Sequence, residues 1–232
     1  MNIVFNYSIH QLYSFIWFFQ NLALAPGHVW IPERMNMQIY NAEISAGSLM
    51  LPESRRIARL LLENPTKERW AHALKVENIL QKNPMTARRQ AGLIRKRLET
   101  LDAEGWQMIV EGNKELASQL LLAASIKHSR LLADFLRDVY AQDLRRLEHS
   151  LSLNQWDAFL TECARRNEQV ECWATSTKKK LFQVIVRILA EAKYLDTTRK
   201  MNLTPPMLHP VIVSYLKRRG DTEILVLMEY SQ

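Results

Sequence analysis

The chain has 232 residues, 47% of them hydrophobic, with a net charge of +7 and a sequence pI near 9.5. That apolar content excludes a disordered chain and suffices for one two-lobed protein or two small domains. The only two cysteines, Cys163 and Cys172, give neither a disulfide framework nor metal-ligand spacing, and each is expected as a small buried side chain in a reducing cytoplasm.

Residues 1–34 differ from everything after them, with eight aromatics and no Lys or Arg before Arg34. The apolar stretch 12–25 has no positively charged segment ahead of it and is short for a membrane span, so neither a signal peptide nor an anchor is expected. We read residues 1–34 as an upstream extension, with natural translation beginning at Met35 or Met37.

The segment Leu51-Pro52-Glu53-Ser54 opens a first helix, because proline is tolerated in the first turn and Glu53 complements the positive helix end. Ile57, Leu60 and Leu61 form its apolar stripe. Asn64-Pro65-Thr66 then breaks the chain, and a second helix is expected over 67–81, packing through Trp70, Leu74, Ile79 and Leu80. Lys82-Asn83-Pro84-Met85 reads as a turn, after which Thr86 is placed to cap a third helix.

This third helix, residues 86–98, carries five cations and no acid. At 100° per residue, Ala87, Ala91, Ile94, Leu98 and Leu101 fall within one arc of roughly 80°, whereas Arg88, Arg89, Arg95 and Lys96 share another of about 120°. Gly92 lies near the middle of the cationic arc, where a missing Cβ lets a phosphate backbone approach at a cost of about 1 kcal/mol in helix propensity. Charge runs on helices are commonly just solvated faces. Helix, turn and basic helix in this order is nevertheless the layout of a helix-turn-helix unit.

All eight prolines lie at or before Pro84 or at and after Pro205, and only Gly92, Gly105 and Gly112 interrupt the stretch between. Long helices are therefore expected over 101–166, with buried runs at 120–124 and at Leu131, Leu132, Phe135, Leu136 and Val139. His128 and His149 sit in no ligand-spaced cluster, and the pairs Asp134 with Asp138 and Glu111 with Glu115 read as solvated faces. A second basic helix start follows at Thr175-Ser176-Thr177-Lys178-Lys179-Lys180. Ser176 or Thr177 can cap it, and it packs through Leu181, Val184, Ile185, Ile188, Leu189 and Ala192. Its solvent face holds Lys179, Lys180, Gln183 and Arg187. Free N–H groups beside lysines suit phosphate, although a lysine-rich surface helix would read the same way. Residues 194–202 form a polar loop with Arg199 and Lys200 that can act as a wing. Lys217-Arg218-Arg219, ahead of Gly220, suits the carboxyl end of a helix.

The fold class is thus all-α: a compact multi-helix protein with two helix-turn-helix-like elements, organised as 35–100, a helical scaffold over 101–170, and a winged-helix-like region over 171–232. Residues 35–100 carry 12 basic and 6 acidic side chains, 101–170 carry 8 and 11, and 171–232 carry 10 and 6. Positive ends around a negative middle suit two DNA-facing elements on a scaffold. The chain has no Walker A motif, dinucleotide fingerprint, nucleophile elbow, His-Glu-x-x-His or deaminase zinc signature, so neither an enzyme nor a cofactor or metal site is expected.

Several of these segments together resemble the BrxA family of bacterial BREX (bacteriophage exclusion) phage-defence systems. They are Ile44-Ser45-Ala46-Gly47-Ser48-Leu49, Pro52-Glu53-Ser54, Glu77-Asn78-Ile79-Leu80, Thr86-Ala87-Arg88-Arg89, Arg97-Leu98 and Trp173-Ala174-Thr175-Ser176-Thr177-Lys178. The resemblance runs from about Tyr40 to the carboxyl end, with no counterpart for 1–34. It implies a cytoplasmic, non-enzymatic, double-stranded DNA-binding component with two helix-turn-helix elements, working beside separate subunits that supply methylation and ATP-dependent functions. The first basic match makes Arg88 and Arg89 DNA-binding candidates, and the last points to the second basic helix start. Thr86, Gly92, Arg95, Lys96, Lys179, Lys180 and Arg187 join them on position alone. A helical adaptor docking acidic surfaces of other defence proteins, and an RNA-binding protein, are the competing readings. No small-molecule substrate and no membrane partner are expected.

Overall fold

The structure, a computed structural model, describes residues 40–229, which belong to one compact unit. The aromatic extension of 1–34 and the expected start at Met35 or Met37 lie outside the described residues. A short 3-10 turn, Glu43–Ala46, leads through Gly47 and Ser48 into the first helix; we call residues 43–49 the strap. Helices α1 (Leu51–Leu62), α2 (Lys67–Lys75), α3 (Pro84–Leu98), α4 (Ala103–Glu111) and α5 (Lys114–His128) follow. Short polar side chains cap four of them: Thr66, Asn83, Asp102 and Asn113 each accept a hydrogen bond from a backbone N–H in the first turn.

Helix α2 ends six residues earlier than its apolar pattern predicts. Asn78 (φ 44°) and Gln81 (φ 56°) adopt left-handed backbone, which stops the helix and folds 76–83 into a turn. Leu80 still reaches the core at 1% exposure, so Ile79 and Leu80 pack from a turn and not from a helical stripe. The cap of α3 is Asn83, whose Oδ1 accepts from the Thr86 N–H at 2.9 Å, with Pro84 in the first turn; Thr86 is therefore inside the helix. The expected apolar arc is correct, since Ala87, Ala91, Ile94, Leu98 and Leu101 are all buried.

Helix α6 (Arg130–Phe135) continues through a π-helical turn, Leu136–Tyr140, into α7 (Ala141–Arg145). Asp134, read above as part of a solvated face, is fully buried: it accepts from the Tyr40 hydroxyl at 2.5 Å and from Arg130 Nε at 2.8 Å, and Arg137 lies 2.7 Å away. A buried carboxylate persists only when paired in this way. Ser152 and Gln155 form a capping box that starts α8 (Leu153–Arg166), and α9 spans Thr175–Glu191. Ala174 precedes α9 without a side-chain cap, so neither Ser176 nor Thr177 caps it. Cys163 is buried, and burial pushes its thiol up to about 12, whereas Cys172 is exposed, contrary to expectation.

After α9 the chain folds back on itself through antiparallel bridges, Leu195 with Leu203 and Ser150 with Asn202. Three short segments, around 150, 195 and 203, thus lie side by side, the last in the middle. The Tyr140 hydroxyl reaches the carbonyls of Tyr194 (2.9 Å) and Thr204 (2.6 Å), tying both arms of the hairpin to the core. Helices α10 (Pro210–Arg218) and α11 (Thr222–Glu229) close the described chain. Gly220 at φ 74° joins them: its N–H bonds to the Lys217 carbonyl and that of Asp221 to Leu216, a Schellman ending. Arg218 pairs with Glu104, and Arg219 pairs with Asp102 and Asp221, so these two arginines tie α10 to the start of α4. A single apolar core runs through the unit from Tyr40 to Met228.

Candidate nucleic-acid interface

Helices α3 and α9 both pack on the strap, and this brings the two basic segments together. Between them lies a groove of about 570 Å³. Arg89 and Gln90 of α3 line one side, Lys180, Gln183 and Arg187 of α9 the other, with Ser45 and Ala46 on the strap between and Thr198 of the hairpin at the edge. A second concavity adjoins it, sharing Ser45, Ala46 and Arg89 and adding Arg88, Gly92, Lys96 and Glu43. The surface is therefore continuous from Arg88 across the strap to Arg187.

The cations on this surface differ in what they touch. Arg88, Arg89, Lys180 and Arg187 are exposed, and none pairs with a carboxylate among the described residues. Lys96 is held by Glu43, its Nζ 2.7 and 2.8 Å from the two carboxylate oxygens. The bond from Lys96 holds the Glu43 carboxyl below its ordinary range despite partial burial, and His128 contributes from 3.4 Å. Arg95 is turned away, bonded to Glu99 at 2.6 Å and stacked 4.6 Å over the Trp70 ring. Its role here is to tie α3 to α2. A Cβ at Gly92 would meet nothing within 4 Å, so this position is open to solvent. Thr86 is half-buried beside its cap. Ser176, Thr177, Lys178 and Lys179 sit on the first turn of α9 outside the groove lining, with Ser176 and Lys179 exposed and the other two half-buried.

Sequence reasoning missed the groove's supports. Arg97 is 3% exposed and donates to the carbonyls of Ser48 (2.6 Å) and Gly47 (3.1 Å). Burial pushes its guanidinium down to about 10, with Glu191 opposing the shift, and it stays charged at neutral pH. From the other side Glu191, at the carboxyl end of α9, accepts from Ser48 Oγ (2.8 Å) and the Leu49 N–H (2.9 Å). One signal was available: Arg97 is the only cation of its run to fall outside the cationic arc, roughly 140° from that arc's centre. The hairpin loop beside the groove is also built. Asp196 accepts from the N–H groups of Thr197 (2.5 Å) and Asn202 (3.0 Å) and from the Asn202 amide (2.9 Å), leaving Arg199 and Lys200 exposed at its tip.

Fold and groove together define an all-helical protein that carries two cationic helices on one continuous surface. The BrxA family profile matches residues 38–220, and the chain belongs to the BrxA family. It is 40% identical over 193 residues to the BREX protein BrxA of Paramagnetospirillum magneticum, covering 83% of this chain and 97% of that one. The BREX protein BrxA of Escherichia coli O9:H4 is 35% identical, covering 84% and 92% respectively. A crystal structure of an uncharacterized protein from Magnetospirillum magneticum matches with a TM-score of 0.77 at 39% identity, over 83% of this chain and 99% of that one. No helix among the described residues is long and apolar enough to cross a membrane.

Proposed function

We propose that this BREX protein is a non-enzymatic, double-stranded DNA-binding component of its phage-defence system, gripping phosphates with α3 and α9 at once. The observation that carries this reading is the convergence of Arg88, Arg89, Lys180 and Arg187 on adjoining concavities although the two helices lie some 90 residues apart. Unpaired exposed cations attract a polyanion and cost little to desolvate, whereas ion-paired ones must first release a partner. Helix α8, its turn, α9 and the bridged hairpin follow the order of a winged helix-turn-helix, with α9 as the groove helix and 196–201 as the wing. Phosphate contacts alone set register without reading bases, so weak sequence preference is expected. Other BREX subunits are its expected protein partners.

The test is competition at fixed salt among duplex DNA, single strands and structured RNA, read by fluorescence anisotropy. Duplex should win, and R88A/R89A and K180A/R187A variants with unchanged circular dichroism should each lose affinity. Negligible duplex affinity, with binding to other BREX subunits that survives nuclease, would replace this reading with the adaptor; preference for RNA would replace it with RNA binding.

A further inference from the structure

Both cationic helices pack on the strap, and two buried or half-buried charges hold it from opposite sides. Arg97 of α3 takes the carbonyls of Gly47 and Ser48, and Glu191 of α9 takes the Ser48 hydroxyl and the Leu49 N–H. Ser48 is thus gripped through its carbonyl by one helix and through its side chain by the other. A buried arginine is costly to desolvate, and apolar residues would fill such a site without that cost. What the polar pair supplies is direction: four hydrogen bonds fix the strap's height and angle against α3 and α9, which an apolar contact would leave free to slide. Neither residue lines the groove, and neither is needed as a cation on its surface.

We infer that Arg97 and Glu191 are positioning residues that lock α3 and α9 into one bipartite DNA-binding surface. This rests on the duplex-binding reading above. Two weak phosphate-binding faces held rigidly together act as one strong site, because the second engages at a high effective concentration once the first is bound. Freed from each other, they bind one at a time. In the locked protein, removing either face therefore costs the whole cooperative gain. In the unlocked protein, removing one face costs little, since the other still binds alone.

The experiment is a mutant cycle on the full chain with a duplex of about 20 base pairs as probe. E191Q keeps the shape of the side chain but removes its charge, and R97M/E191M replaces both residues with apolar side chains of similar length in case E191Q folds poorly; thermal unfolding identifies folded variants. Either is expected to weaken duplex binding at least tenfold while the groove cations stay in place. R88A/R89A should then cost at least tenfold in the wild-type background and less than threefold in the unlocked one. A purely structural role would leave the cost of R88A/R89A equal in both backgrounds, and that result overturns the inference, as does unchanged affinity in folded E191Q and R97M/E191M. Absence of duplex binding by the wild type would instead refute the functional reading itself.

Discussion

The salt dependence of duplex binding can be worked out from the ion pairs of the free protein. Of the cations facing the two concavities, Arg88, Arg89, Lys180 and Arg187 have no described carboxylate partner, whereas Lys96 is neutralised by Glu43. Each unpaired cation that meets a phosphate releases counterions, so four contacts predict a slope of about −3.6 in log K against log salt. Between 50 and 200 mM salt the affinity should then fall roughly 150-fold. R88A/R89A should reduce the slope to about −1.8, and K180A/R187A should do the same. R95A is the internal control, because Arg95 stacks on Trp70 and pairs with Glu99; it should weaken α3 packing slightly and leave the slope unchanged. Titrations at four salt concentrations measure all of this. A wild-type slope shallower than about −2, or equal losses from R95A and from R88A, would refute the assignment of unpaired groove cations as the phosphate contacts.

Three further outcomes follow from particular residues. E43Q releases Lys96 from an exposed ion pair of roughly 0.2–1 kcal/mol, so duplex affinity should rise by about 1.4- to 5-fold and the slope steepen by about 0.9; unchanged titrations would show that Lys96 does not face the duplex. G92A should stabilise the fold by up to about 1 kcal/mol of helix propensity, read as a raised melting temperature, because a Cβ there is unobstructed; weaker duplex binding alongside it would mark close backbone approach, and equal binding would remove Gly92 from the site. Asp102 gives a pH dependence. Burial pushes its carboxyl up, but bonds from the Gly105 N–H, the Tyr215 hydroxyl and Arg219 outweigh that and leave it below its ordinary 3.8. Its contribution is therefore fully present above that value and lost as pH falls through the lower folded-state value. Melting temperatures from pH 5 to pH 2.5 should fall more steeply for the wild type than for D102N, and parallel curves would exclude this linkage.

The elements whose physics is local were legible in advance. The apolar arc of α3 and the stripes of α1 and α9 follow from helical periodicity, and each side chain they name is buried. The exposure of Arg88, Arg89, Lys180 and Arg187 was legible for the same reason, since they lie opposite the buried stripes. Other contacts were not legible, because apolar spacing does not say which partner a polar side chain takes. Asp134 looked solvent-facing by spacing, but Tyr40, Arg130 and Arg137 converge on it. Arg95 and Lys96 shared an arc with Arg88, yet Trp70 and Glu99 claim one and Glu43 the other. The end of α2 depended on left-handed backbone at Asn78, which no apolar pattern reveals.

Sequence alone determined that this is an all-helical protein with two basic helices, because 3.6-residue periodicity, proline placement and charge are properties of contiguous chain. Only the tertiary structure decided that those helices share one surface. Both pack on the strap, which is held by a buried arginine 49 and 50 residues from the carbonyls it binds and by a glutamate 142 and 143 residues from the groups it accepts from. Hydrogen bonds over such separations leave no periodic trace in the chain that makes them.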